Sequence, residues 1–149
     1  MNASRESDGF LMLGSWAPDA QLARTFDLDG GRLAPGNARA LLVALLEKRI
    51  AEDDLCDVVV LTSELVTNAV RHGGAGPGER IVVYVAIAGA LLRIEVCDDG
   101  PGFEPPQILR QHIGGGGSGL VLVDRLSSSW GVSNDDRTCV WFERPLQPR

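Results

Sequence analysis

The segment IVVYVAIAGALLRIEVC, residues 81–97, constrains this chain more than any other part of it. Ile81–Ala88 is a run rich in β-branched residues, Gly89-Ala90 supplies a turn, and Leu91–Cys97 resumes the run. Two such runs around a glycine-containing pair read as a β-hairpin. Just upstream the periodicity changes. Val58, Leu61, Leu65 and Ala69 recur at helical spacing and form one apolar arc, which predicts a helix from about Asp53 to His72. Asp53 and Asp54 suit the positive N-terminal end of that helix, and Gly73-Gly74 can terminate it. The arc should face a sheet.

The other elements are read more coarsely. Leu22–Leu28 alternates well enough for an edge strand, with one mismatch at Arg24. Gly30-Gly31 and Pro35-Gly36 then break the chain with turn residues. NARALLVALLEKRI, from Asn37 onward, is rich in helix formers and Asn37 can be its N-cap. A flexible stretch is expected over 107–117, then a short helix over Leu120–Ser128. Two last strands, near Trp130–Ser133 and Thr138–Glu143, flank the turn Asn134-Asp135-Asp136. The simplest packing is an α+β two-layer sandwich: a mixed, mostly antiparallel sheet with about three helices on one face. Residues 1–20 are expected to be weakly ordered, with Phe10–Leu13 able to pair at a sheet edge. Residues 21–149 then form a single domain.

Composition excludes several functions. The 149 residues carry a formal charge of −6 and one lysine, Lys48. No basic face for nucleic acid or an anionic membrane is expected. No stretch approaches the roughly 20 apolar residues of a spanning helix, and the polar N-terminus is unlike a signal peptide. A cytoplasmic protein is expected. Cys56, Cys97 and Cys139 are widely spaced in apolar stretches with no CxxC. They read as small buried residues in a reducing compartment, suggesting neither a zinc site nor a disulfide framework.

Three short motifs could carry chemistry. On the second helix, Glu64 and Asn68 of ELVTN stand four residues apart, on one face at the margin of the apolar arc. The amide oxygen of Asn68 suits Mg²⁺, and the Glu64 carboxylate can hold or deprotonate a water or hydroxyl. A solvated helix margin would look the same. After the strand LLRIEVC comes Asp98-Asp99-Gly100-Pro101-Gly102. An aspartate at a strand end can accept a hydrogen bond from an exocyclic amine such as that of adenine, and glycines let backbone approach a flat ring. A polar turn needs the same residues. Finally, the run Gly114–Gly117, then Ser118-Gly119-Leu120, leads into LVLVDRLSSS. Glycines ending at a helix N-terminus expose N–H donors that favour a phosphate, although a linker is also glycine-rich. It is neither a Walker loop nor a dinucleotide fingerprint.

Taken together and in order, ELVTNAVRHG (64–73), DDGPG (98–102) and GSGL (117–120) resemble the GHKL ATPases of the Bergerat fold. The likeness covers roughly Asn37 to Phe142 and looks closest to the small anti-sigma-factor serine kinases. The resemblance implies a role for each motif residue. Asn68 matches a Mg²⁺-binding asparagine, and Glu64 matches a general base that activates the attacking hydroxyl. Asp98 matches an aspartate that binds the adenine amine, with Gly100 and Gly102 beside the base. Gly117, Gly119 and Leu120 match the phosphate-contacting loop, and Thr138 a threonine that helps hold adenine. It implies ATP and Mg²⁺ as ligands, a sigma factor and an anti-sigma-factor antagonist as protein partners, and a homodimer joined through a sheet edge. His72 matches a frequent position but suits packing or capping better. This chain departs from the pattern at Ser118, where members often carry a basic residue. Arg110 is the only cation near the glycine run, and Arg137 stands where relatives usually have glycine.

Overall fold

The computed structural model describes residues 19–100 and 119–149. The order is β1 (Leu22–Asp29), α1 (Ala34–Leu46), α2 (Glu52–Arg71), β2 (Arg80–Ala88), β3 (Leu91–Asp98), α3 (Gly119–Leu126), β4 (Ser129–Ser133) and β5 (Thr138–Pro145). The strands form one five-stranded sheet in the order β1-β2-β3-β5-β4. Each pairing is antiparallel, so the expected mixture of directions is not seen among the described strands. The α+β two-layer architecture stands as expected.

The hairpin forms as its sequence dictates. Ala88 pairs with Leu91 across a two-residue loop, and Gly89 there takes φ +60, a conformation open to glycine. Side chains then alternate between faces. Ile81, Val83, Val85 and Ile87 of β2, Leu92, Ile94 and Val96 of β3, and Val140 and Phe142 of β5 all join the main core. Against them lie Ala34, Ala38, Leu42 and Leu46 of α1, spaced by four residues, and Val58, Leu61, Leu65 and Ala69 of α2. The predicted apolar arc of α2 is thus the buried one. Val82, Tyr84, Ala86, Cys97 and Cys139 form a second cluster. Alternation places them on the opposite side of the sheet.

Two local expectations fail for identifiable reasons. Asn37 does not cap α1. The helix begins at Ala34 with Leu33 as N-cap, and Pro35 occupies the first helical turn. Proline's fixed φ and missing N–H suit that position, so the helix starts upstream of the polar residue. The cysteines are not three alike. Cys97 and Cys139 form a disulfide, with Cα atoms 4.1 Å apart, while Cys56 is exposed and free. Their 42-residue separation carries no hint of the bond; adjacent positions on β3 and β5 create it.

Asp54 is wholly buried in the first turn of α2. Arg144 Nη2 lies 3.2 Å from its Oδ1, and the Gln147 backbone N–H donates to its Oδ2 at 2.7 Å. Arg144 also reaches Asp57 at 2.7 Å and the Leu126 carbonyl at 2.8 Å. One cluster therefore ties the chain's end to α2 and α3. Asp54→Ala would leave the Gln147 backbone N–H without its acceptor. It would also strip the mostly buried Arg144 guanidinium of its buried carboxylate, leaving it Asp57 and the Leu126 carbonyl. The expected loss is about 3 kcal/mol, read as a fall in Tm on the order of 10 °C. A change within experimental error would show that the cluster contributes nothing to stability.

Candidate functional site

The C-terminal half of α2 places Glu64 and Asn68 one turn apart. Glu64 is half-buried at the edge of the apolar arc, and Asn68 is buried. The side-chain nitrogen of Asn68 is enclosed yet makes no hydrogen bond. Buried amides without a partner are rare, because the lost solvation is not replaced. The Asn68 backbone carbonyl is well used: it accepts from the N–H of His72 at 2.8 Å and of Gly73 at 3.2 Å, which closes the helix. His72 is the C-cap residue and is exposed, so capping rather than packing describes it.

Gly73 carries the chain from that helix end to the hairpin. A Cβ there would lie 2.4 Å from Asp98 Oδ1 and 2.7 Å from the Ala69 carbonyl oxygen. Only a glycine lets α2 close down on the end of β3. Asp98, the last residue of β3, is buried, and its Oδ1 accepts the Gly100 N–H at 2.7 Å. Burial raises the Asp98 carboxyl above its ordinary pKa; the Gly100 N–H opposes this and the neighbouring Asp99 adds to it. Gly100 is packed as tightly as Gly73, since its Cβ would meet the Gly73 carbonyl oxygen at 2.2 Å.

The last strand completes the cluster. Because β3 neighbours β5 rather than β4, Asp98 pairs directly with Thr138. The Thr138 hydroxyl donates to the Gly100 carbonyl at 3.3 Å. Gly100 is thus held at its N–H by Asp98 and at its carbonyl by Thr138. Of the residues singled out from sequence, Asp98, Gly100 and Thr138 come into contact, and Gly73 links them to the helix that bears Glu64 and Asn68.

α3 begins at Gly119 and packs against α2 and β4. Leu120 is fully buried in the main core, so its side chain anchors the helix start. Gly102, Gly117, Ser118 and Arg110 lie outside the described residues, as does Phe10–Leu13. Gly73 is the site residue that sequence reasoning misses: by its sequence it is a helix terminator, whereas its lack of a Cβ serves Asp98. Its position at the end of ELVTNAVRHG is the available signal. Arg137 has its own role, its Nη2 donating to the Tyr84 hydroxyl at 2.6 Å.

Chemically, the cluster offers a buried carboxylate, an amide lacking a partner, and glycine backbone with no side chain in the way. It is a two-layer α+β module whose polar groups gather where a helix end, a hairpin end and the last strand meet. The family described as histidine kinase-like ATPase domain matches residues 32–144, and the chain belongs to that family. It is an ATP-binding domain of the GHKL type.

Among solved structures, the RsbU and RsbW domains of Rv1364c from Mycobacterium tuberculosis are similar at 26% identity with a TM-score of 0.65. The match covers 86% of this chain and 34% of that one, so this chain spans about a third of its length. The histidine kinase domain of the E. coli osmosensor EnvZ matches at 16% identity and a TM-score of 0.46, covering 85% and 90%. No curated protein matches in sequence. Among the described residues, no helix is long and apolar enough to cross a membrane.

Proposed function

We propose that this chain is an ATP-dependent anti-sigma factor and serine-protein kinase. In this reading it sequesters a sigma factor and phosphorylates a serine of an anti-sigma-factor antagonist, so that the partners exchange. The observation that carries it is the contact of Asp98, Gly100 and Thr138 beneath the helix end that bears Glu64 and an unsatisfied Asn68. The likeness to a structure containing an RsbW domain supports the choice of partners.

The residues fit the ligands. Asp98 accepts the adenine amine, with Gly100 beside the base and Thr138 bracing Gly100. The resemblance gives Gly102, outside the described residues, the same role as Gly100. Gly119 and the Leu120 backbone, at the start of α3, would meet the phosphates, and the resemblance gives Gly117, outside the described residues, the same role. The side-chain oxygen of the buried Asn68 is the group that would hold Mg²⁺, which when bound neutralises phosphate charge. Its unpartnered nitrogen is free to donate to a ligand oxygen. Glu64 accepts the proton of the partner's serine hydroxyl while that oxygen bonds to the γ-phosphorus and ADP leaves. The protein acts in the cytoplasm as a homodimer and touches neither nucleic acid nor membrane.

Incubation with Mg-ATP and a cognate antagonist is expected to transfer phosphate to serine. Glu64→Ala should reduce transfer at least about a hundredfold while leaving ATP affinity unchanged. Transfer at the wild-type rate would remove Glu64 from its role. A second reading, an ATP-binding interaction module without turnover, is favoured by Ser118 and the single nearby cation Arg110. Binding without transfer in the same assay would select it.

Acidification provides a separate check. The raised pKa of Asp98 means that its proton returns at a higher pH than for an ordinary aspartate. The folded state holds this proton more tightly than the unfolded chain, so the group's contribution to stability grows as pH falls. ATP binding moves the other way, because protonation removes the acceptor for the adenine amine. Calorimetric titration is expected to show affinity falling on acidification while Tm does not fall in step. Constant affinity through that range would contradict the role of Asp98.

A further inference from the structure

The Cys97–Cys139 disulfide sits one residue from the nucleotide-binding cluster. Cys97 precedes Asp98 on β3, Cys139 follows Thr138 on β5, and both pairs are in direct register. Side-chain alternation puts the sulfurs on the face of the sheet opposite Asp98 and Thr138. A carboxylate oxygen of Glu95 and both sulfurs lie within 4.8 Å of one another. Glu95 is buried; its Oε2 pairs with Arg93 at 3.1 Å, while its Oε1 is enclosed with no hydrogen bond.

We propose that Cys97–Cys139 is a reversible thiol–disulfide exchange site whose state sets the nucleotide affinity of the adjoining cluster. Its co-substrate is a dithiol of the thioredoxin class. The dithiol's thiolate attacks one sulfur of the pair, breaking the S–S bond and forming a mixed disulfide. Its second thiolate then displaces the remaining protein sulfur. Two electrons pass to Cys97 and Cys139, each of which takes up a proton, and the dithiol leaves as its disulfide.

Two observations favour exchange over a purely structural bond. Glu95 Oε1 has no donor in the oxidised state. Reduction creates two S–H donors within reach of a carboxylate one of whose oxygens lies within 4.8 Å of both sulfurs. The reduced form is thereby stabilised, which makes a disulfide easier to reduce. The second is position. Reduction replaces a covalent bond with a van der Waals contact between two sulfurs packed among Val82, Tyr84 and Ala86. The strand ends that carry Asp98 and Thr138 then lose the covalent tie between them. Those ends hold Gly100 from both sides, so loosening them weakens the seat of the adenine. Disulfides that do occur in reducing compartments are mostly of this switching kind.

The coupling rests on the ATP-binding reading of Asp98, while the exchange itself does not. The test uses the full chain with Cys56→Ser, which removes the exposed free thiol. Protein equilibrated in glutathione buffers, or treated with dithiothreitol, is alkylated and the Cys97 and Cys139 peptides are assayed by mass spectrometry. Both thiols are expected to appear and disappear together. The reduced form should bind ATP at least fivefold more weakly, and a Cys97→Ser/Cys139→Ser variant should not respond to dithiothreitol. Glu95→Gln should shift the exchange equilibrium about fivefold towards the disulfide, because a neutral acceptor stabilises the thiols less.

Complete alkylation of both cysteines in glutathione disulfide would overturn the proposal. So would equal ATP affinity in the two states, or Zn²⁺ retained by the reduced protein that blocks reoxidation. If neither state bound ATP while the disulfide still interconverted, the nucleotide reading of Asp98 would fail and the coupling with it. The Glu95→Gln shift would still report on the exchange.

Discussion

Asparagine in place of Asp98 is expected to weaken ATP binding roughly a hundredfold, equivalent to about 3 kcal/mol, with the fold retained. The side chain has two oxygens with two tasks. Oδ1 accepts the Gly100 N–H at 2.7 Å, and in the proposed reading the other accepts from the amine of adenine. An amide has the same shape but only one acceptor. If its oxygen stays with Gly100, an NH₂ group confronts the amine; if it turns to the amine, the Gly100 N–H meets a donor. Either arrangement leaves buried polar groups facing like partners. Isothermal titration with Mg-ATP measures the loss, and circular dichroism with thermal melting checks the fold. An affinity within twofold of the wild type would separate Asp98 from adenine recognition.

The second large effect is expected from Gly100→Ala. The added methyl would stand 2.2 Å from the Gly73 carbonyl oxygen, 2.6 Å from the Gly73 Cα and 2.7 Å from Asp98 Oδ1. Two of those atoms are backbone, so relief requires the loop to withdraw from the helix end. The expected cost is about 2 kcal/mol, and nucleotide binding should fall more than tenfold because Asp98 and Thr138 both lose their shared partner. Gly74→Ala is the natural control. Gly74 has φ +70 and nothing within 4 Å of its hypothetical Cβ, so the change strains the backbone without touching the cluster. It should cost about 1 kcal/mol and leave affinity unchanged. Equal loss of binding in both variants would mean that stability, rather than the close approach of Gly100 and Gly73, governs the site.

Local periodicity makes much of the fold legible. The hairpin at 81–97 and the helix near 53–72 occur within a residue or two of their expected bounds, because each is decided by neighbours along the chain. Leu22–Leu28 likewise becomes an edge strand, with the mismatched Arg24 exposed. The start of α1 falls upstream of its expected place because the proline at Pro35 outweighs a capping side chain at Asn37. Asp98 and Gly100 can be named from the DDGPG motif, and Thr138 from the family resemblance. Gly73 cannot be assigned to the site that way, since its role depends on a carboxylate 25 residues away that passes within 2.4 Å of where its Cβ would be.

Sequence by itself determined which segments become helix or strand, which face of α2 is apolar, and the order of the three polar motifs. All of these come from spacing and residue type over short windows. Tertiary structure alone decided that β5 lies beside β3. Chain connectivity does not choose that neighbour; burial of the shared sheet face under the helices does. From that single adjacency come the pairing of Asp98 with Thr138, the bond between Cys97 and Cys139, and the clamp on Gly100. The ion pair of Asp54 with Arg144, 90 residues apart, has the same origin in packing.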